Sequence, residues 1–161
     1  MGEDFQIRPA GRADAPVILS FIRQLAEYER LSDAVTASEE LIAENLFGPQ
    51  ATAEVLLGYF NGRPVAFAVF FHNFSTFLGK RGLYLEDLFV VPEMRGRGFG
   101  KAMLKRVAEV AIERDCGRFE WAVLDWNAPA IEFYRALGAE AMSEWTTFRV
   151  TGDALKKLAG K

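Results

Sequence analysis

Residues 83–104 have the sequence LYLEDLFVVPEMRGRGFGKAML, and the rest of the fold is predicted outward from this stretch. The apolar run 83–91, which carries Glu86 and Asp87, predicts a buried central strand that stops at Pro92. A glycine and arginine loop follows at 95–100, and a helix begins next to it. Because the free N–H groups and the positive dipole end of a helix start attract anions, this loop predicts a binding site for a phosphorylated ligand.

Length and composition limit the possible classes of protein. The chain has 161 residues, half of them hydrophobic, which predicts a single domain, 1–161, with one core. A net charge of -3 argues against general nucleic-acid binding. Cys116 is the single cysteine and no run approaches membrane-spanning length, so we expect a cytoplasmic protein without disulfides or a membrane segment. His72 is the single histidine, and we expect a structural role for it and no metal site.

Hydrophobic periodicity and turn signals predict alternating elements along the chain. The predicted strands are 5–8, 54–60, 64–71, 83–91, 119–126 and 144–150. The predicted helices are 14–28, 37–47, 101–114 and 129–137. Asn61-Gly62 predicts a tight hairpin between the second and third strands, and 73–82 is predicted to be a loop.

This order predicts the fold class α/β (α+β). Two strand-to-helix crossovers, at 83–114 and 119–137, imply parallel neighbouring strands. We therefore expect one mixed sheet with helices on both faces.

Residues 95–100, RGRGFG, fit the pattern R-x-x-G-x-G. A Walker A loop would end in Gly-Lys-Ser/Thr and a dinucleotide fingerprint would need G-x-G-x-x-G, and the chain has neither at this place. The bare pattern also fits a tight loop with solvated arginines.

The stretch resembles motif A of the GNAT superfamily of acetyl-CoA-dependent N-acyltransferases, whose R/Q-x-x-G-x-G/A backbone holds the CoA pyrophosphate. Arg95, Gly98 and Gly100 match this motif. The resemblance spans nearly the whole chain. Within the superfamily, the chain is similar to the spermidine/spermine (diamine) acetyltransferase branch, including its bacterial and thialysine-acetylating relatives. The segments that carry it are IRPA at 7–10, LAEYE at 25–29, LYLEDLFV at 83–90 and WNAPAIEFYRALGA at 126–139.

The resemblance implies acetyl-CoA as cosubstrate and no metal. It also implies a twisted central sheet of about six to seven strands that splays between its two central parallel strands. Backbone groups of Leu88, Phe89 and Val90 would hold the pantetheine arm and the thioester. Asn127 and Ala130 would contact the CoA arm from the other side of the splay. The residues implied at the pyrophosphate are Arg95, Gly96, Arg97, Gly98, Phe99, Gly100 and Lys101.

The resemblance also implies catalytic and substrate-binding residues. Tyr134 occupies the position of the general acid that protonates the CoA thiolate, although a tyrosine on an amphipathic helix is also typical of core packing. An alkylammonium with a pKa of about 10.4 is deprotonated at pH 7 at a cost of about 4.6 kcal/mol, so a base is useful. Glu86 is the expected base, acting through water, with a purely structural acid as the alternative. Tyr28 and Glu29 are expected to bind the amine with Glu86.

Pleat geometry predicts that Asp87 faces away from Glu86 and is structural. One departure concerns substrate choice. Where the polyamine enzymes carry an Asp and a Trp, this chain has Ser75 and Phe77, with an extra residue near Arg81. An acid lost from the amine pocket favours a shorter diamine, a lysine analogue or another primary amine.

We therefore expect acetyl transfer to the primary amine of a small diamine, polyamine or lysine-like amine by direct attack in a ternary complex. The alternatives are a protein or peptide lysine acetyltransferase and a CoA-binding regulatory module that does not catalyse. The resemblance also implies a homodimer.

Overall fold

The computed structural model describes residues 4–161. The chain divides into two compact units, one reaching Ala122 and the other comprising Val123–Lys161. Among residues 4–161, the first unit contains a mixed sheet and three α-helices, and the second contains two α-helices.

The sheet of the first unit has five strands, which lie side by side in chain order. The first three pairings are antiparallel and the last one, between β4 and β5, is parallel. The strands are β1 (Phe5–Pro9), β2 (Glu54–Phe60), β3 (Arg63–Ser75), β4 (Lys80–Val90) and β5 (Phe119–Trp121). The helices are α1 (Ala15–Tyr28), α2 (Glu39–Phe47) and α3 (Phe99–Glu113) in the first unit, and α4 (Ala128–Ala136) and α5 (Gly152–Leu158) in the second.

The hairpin between β2 and β3 is confirmed. Phe60 lies opposite Arg63, and the two residues between them, Asn61 and Gly62, have φ angles of 50° and 80°. Positive φ at both positions is the conformation that Asn-Gly favours in two-residue hairpins, so this turn is fixed by its own sequence.

Helices cover both faces of β3. The six residues 65–70 are each at most 8% exposed, which an alternating half-buried strand would not show. On one face Phe21 of α1 lies 5.5 Å from the ring of Phe67, and on the other the guanidinium of Arg114, at the end of α3, lies 5.9 Å from the ring of Phe70. The prediction of one sheet with helices on both faces is therefore confirmed.

The prediction of six to seven strands is wrong, because the sheet has five. Residues 144–150 form no strand in the described structure, and β5 ends at Trp121 rather than 126. The predicted loop 73–82 belongs mostly to β3 and β4, which pair from Ala66–Val90 out to Ser75–Lys80. A strand requires a hydrogen-bonding partner, and residue alternation within one segment does not specify one.

A bidentate ion pair ties the end of α3 to the start of β2. Arg114 donates from Nη1 to Glu54 Oε2 at 2.6 Å and from Nη2 to Oε1 at 2.8 Å. His72 Nε2 lies 3.4 Å from Arg114 Nη1, and the pKa of His72 is lowered by burial and by the charges of Arg81 and Arg114. The neutral ring thus accepts a hydrogen bond from Arg114, in agreement with the structural role expected for it.

Candidate active site

The glycine loop adopts a conformation that requires glycine. Gly96 and Gly98 have φ angles of 78° and 83°, in the left-handed region that side chains disfavour. Gly98 is the N-cap of α3, which begins at Phe99 rather than at the predicted residue 101. Two left-handed residues thus turn the chain sharply from the end of β4 into the helix.

Phe99 anchors the first turn of α3 to the sheet. Its ring is 8% exposed, stacks on Phe5 with centroids 4.2 Å apart and lies 5.3 Å from the ring of Phe60. The backbone N–H groups of the first helical turn have no intrahelical acceptor, and this turn carries no acidic residue. The arrangement suits an anion, because it joins free donors to the positive end of a 15-residue helix.

The two arginines of the loop lie against aromatic rings. Arg95 donates from Nε to the carbonyl oxygen of Val90 at 3.0 Å, and its Cζ lies 4.9 Å from the ring centroid of Tyr28. The Cζ of Arg97 lies 5.2 Å from the ring centroid of Phe60. Both side chains are exposed, but each guanidinium has a defined place on the protein.

The sheet splays next to this loop. β5 pairs with β4 at Leu83, Tyr84 and Leu85, whereas β4 continues to Val90. Within residues 4–161, the edge of β4 beyond Leu85 therefore has no ladder to β5, which leaves backbone groups available to a ligand. Leu88, Phe89 and Val90 lie in this part of β4, and the Val90 carbonyl already accepts a hydrogen bond from Arg95; their role toward the pantetheine arm stays a prediction.

A β-bulge interrupts β4 where the splay begins. Leu85 lies opposite Phe70 and Asp87 opposite Val69, so Glu86 is an extra residue in β4. Cross-strand partners share a face, so Leu85 lies on the face of Phe70 and Asp87 on the opposite face, that of Val69. Glu86 follows Leu85 and points away from it, which is also toward the face of Val69. Asp87 therefore lies on the side to which Glu86 points. The prediction that the two acids face opposite sides is wrong, since it assumed unbroken alternation.

Asp87 feels the charges of two other carboxylates, Glu86 and Glu29. Burial, followed by the charges of Glu86 and Glu29, raises the pKa of Asp87 to about 6. Burial also raises the pKa of Glu29, the C-cap residue of α1, whereas Glu86 is exposed. The end of α1 and the bulge in β4 thus form one partly buried acidic cluster, and a cation there would relieve the repulsion.

Sequence reasoning missed Tyr84. It precedes Glu86 by two residues, and its pKa is raised by burial and then by the charges of Glu86 and Glu120. Its ring lies 5.2 Å from Phe71. The signal for it was the two-residue spacing, which places Tyr84 and Glu86 on the same face of β4.

In the second unit, Asn127 caps α4. Its Oδ1 accepts a hydrogen bond from the backbone N–H of Ala130 at 3.4 Å, and Pro129 occupies the first turn. Tyr134 is half-buried in the last turn, with its ring centroid 5.6 Å from that of Phe133. Asn127 and Ala130 are thus bonded to each other, and the roles predicted for them and for Tyr134 toward CoA stay predictions.

The two residues that depart from the polyamine pattern lie at the β3–β4 turn. Ser75 is 4% exposed and its Oγ accepts from the backbone N–H of Leu78 at 3.2 Å, so it stabilises the turn. Phe77 is 97% exposed. Neither Ser75 nor Phe77 therefore provides a carboxylate group at this turn.

Comparison with known proteins identifies what this geometry is similar to. The chain is 43% identical to the thialysine N-epsilon-acetyltransferase of Sus scrofa, over 96% of this chain and 97% of that one. It is 32% identical to an L-ornithine N5-acetyltransferase of Arabidopsis thaliana, over 95% and 87% of the two chains. An integron cassette protein from the mobile metagenome of V. cholerae superposes with a TM-score of 0.82 at 26% identity, covering 98% of each chain.

The family model described as the acetyltransferase (GNAT) family matches residues 20–139, which include most of α1, the bulged strand, the glycine loop and α4. These residues are three quarters of the chain, and the thialysine and ornithine enzymes match nearly all of it. The chain therefore belongs to the GNAT acetyltransferase family and is an N-acetyltransferase.

Proposed function

We propose that the protein transfers the acetyl group of acetyl-CoA to a primary amine of a small diamine or lysine-like amino acid, by direct attack in a ternary complex. The observation that carries this proposal is the acidic cluster of Glu29, Glu86 and Asp87 beside the splayed edge of β4. Carboxylates at this place suit a substrate that carries more than one positive charge. The similar enzymes act on thialysine and L-ornithine, both amino acids with a second amino group.

Acetyl-CoA would lie along the splayed edge. The pyrophosphate would accept hydrogen bonds from the backbone between Gly96 and Lys101, at the start of α3. The pantetheine arm would pair with free backbone groups between Leu88 and Val90, as an added strand would. Phe99 supports this site from beneath because it is buried against Phe5.

The reaction requires three proton transfers. The ammonium of the substrate gives a proton to Glu86 through water, and the neutral amine then forms the N–C bond to the thioester carbon. The C–S bond breaks as Tyr134 donates its proton to the CoA thiolate, and the second proton lost by the substrate nitrogen restores the Tyr134 phenol through solvent. Asp87, ionised at pH 7 with its pKa of about 6, attracts the cationic substrate together with Glu29.

We also propose that residues 1–161 act as a single cytoplasmic domain that forms a homodimer. The family match spans 20–139 and so includes residues of both compact units. The second unit exposes two large aromatic side chains close in sequence, Trp145 by 75% and Phe148 by 92%, and an interface would cover them. Sedimentation velocity measures the mass, and a monomer across the working concentration range would contradict the dimer.

Thiol release from acetyl-CoA, measured over a panel of amines, tests the proposed function. We expect ornithine, lysine, thialysine and short diamines to release CoA. Ornithine should exceed 5-aminopentanoate, which lacks only the α-ammonium, by about tenfold in kcat/KM, because a second charge gains roughly 1 kcal/mol or more near carboxylates.

Three other results would contradict the proposal. Equal rates for ornithine and 5-aminopentanoate would remove the role of the acidic cluster. Release only with a lysine peptide would indicate a protein acetyltransferase. No release with any amine, while CoA still binds, would indicate a regulatory module.

Tyr134→Phe should lower kcat by about 100-fold or more and leave the dissociation constant of CoA within about twofold, because the variant loses only the proton donor. Tyr59→Phe on β2 is the matched control, since it also loses one phenolic hydroxyl, and its kcat should be unchanged. An unchanged kcat in Tyr134→Phe would remove Tyr134 as the acid.

Asp87→Asn should change how stability depends on pH. The pKa of Asp87 lies above that of an unfolded chain, near 3.8, so ionisation costs stability as the pH rises from about 4 to about 6. The variant has no carboxyl group to ionise at this position. The unfolding free energy of the variant minus that of the wild type should therefore rise by on the order of 2 kcal/mol between pH 4 and pH 8.

Urea unfolding at the two pH values measures this difference, and Asp33→Asn, at an exposed acid, is the control that should show no such trend. In activity assays Asp87→Asn should raise the KM for ornithine more than it lowers kcat. A pH-independent difference from the wild type would show that the Asp87 carboxyl is not perturbed.

A further inference from the structure

We propose that Arg95 is a positioning residue that couples the CoA loop to the amine side of the site through the ring of Tyr28, rather than a direct ligand of the pyrophosphate. The inference rests on the proposed function for the identity of the two ligands. Its evidence comes from contacts within the first unit.

The guanidinium of Arg95 lies between the end of α1 and the end of β4. Its Cζ is 4.9 Å from the ring centroid of Tyr28 and 5.4 Å from that of Phe89. Its Nε donates to the Val90 carbonyl oxygen at 3.0 Å. One side chain of the glycine loop therefore contacts both elements that carry the acidic cluster.

The two rings differ in how firmly the fold holds them. Phe89 is 4% exposed and lies 6.2 Å from Phe21 of α1, within the core. Tyr28 is 43% exposed and is the last residue of α1, directly before Glu29. Arg95 thus lies between a buried ring and a partly exposed one, an arrangement for which a planar guanidinium is well suited.

A ligand that binds residues 95–100 would favour the observed position of the Arg95 guanidinium, and with it the positions of Tyr28 and the neighbouring Glu29. CoA would then increase the affinity for the amine, and by linkage the amine would increase the affinity for CoA by the same factor. An exposed cation–π contact corresponds to about two- to fivefold in an equilibrium constant.

The neighbouring arginine shows what is particular to Arg95. Arg97 is in the same loop, yet its Cζ lies 5.2 Å from the ring of Phe60 on β2. A general electrostatic effect of the loop on CoA would involve both arginines and would be independent of Tyr28. The proposed coupling instead requires the Tyr28 ring.

Calorimetric titration of CoA into the full-length protein tests the proposal with four variants: Arg95→Gln, Tyr28→Leu, Tyr28→Phe and the double variant Arg95→Gln/Tyr28→Leu. We expect Arg95→Gln and Tyr28→Leu each to weaken CoA binding by about two- to fivefold. The double variant should be no weaker than the weaker single one, because both remove the same contact. Tyr28→Phe keeps the ring face and should bind CoA as the wild type does.

Two results would overturn the proposal. If Arg95→Gln weakens CoA binding and Tyr28→Leu does not, Arg95 acts on the cofactor without Tyr28. If the two effects multiply in the double variant, the residues act independently. Thermal unfolding of each variant checks that it is folded. If Tyr28→Leu does not fold, Tyr28→Phe still tests the proposal, because a loss of CoA affinity in Tyr28→Phe would also contradict the ring contact.

A second titration, of ornithine with and without CoA, measures the coupling itself. The dissociation constant of ornithine without CoA, divided by that with CoA, should exceed one in the wild type and in Tyr28→Phe. In Arg95→Gln this ratio should fall toward one. A wild-type ratio retained in Arg95→Gln would overturn the coupling. If no amine binds to the protein and none causes release of CoA from acetyl-CoA, the proposed function fails. The CoA titrations still decide the role of Arg95 in that case.

Discussion

The end of the parallel ladder between β4 and β5 is the constraint on which the rest of the site depends. The two strands pair through Leu85, and the bulge at Glu86 follows directly. The end of the ladder leaves the edge of β4 beyond Leu85 without a neighbouring strand, and the bulge against β3 brings Asp87 to the side of Glu86. A regular β4 would place one of the two acids on the opposite face.

The glycine loop sets the position of the start of α3. Gly96 and Gly98 turn the chain through left-handed conformations, and Phe99 holds the helix start on β1 and β2. Positive helix-end charge and the carboxylate cluster thus lie at the two ends of one short stretch of chain, 86–99. This separation of charge suits a reaction between an anionic cofactor and a cationic amine.

Local features of this structure could be predicted from the sequence, because the residues that cause them are adjacent. Asn61-Gly62 specified its hairpin, and Gly98 marked the turn into α3. Features that depend on pairing could not be predicted. The bulge is set by the register of β3 against β4, which no single segment encodes, so Asp87 was given the wrong face. Residues 144–150 are rich in β-branched and aromatic side chains, but this composition does not supply a partner strand.

Initial-rate kinetics with acetyl-CoA and ornithine varied together test the central claim most directly. Direct attack requires both substrates on the protein at once, in the adjoining cofactor and amine sites. Double-reciprocal plots should therefore intersect to the left of the ordinate. Parallel lines, with an acetylated protein isolated in the absence of amine, would indicate a covalent intermediate and contradict the account.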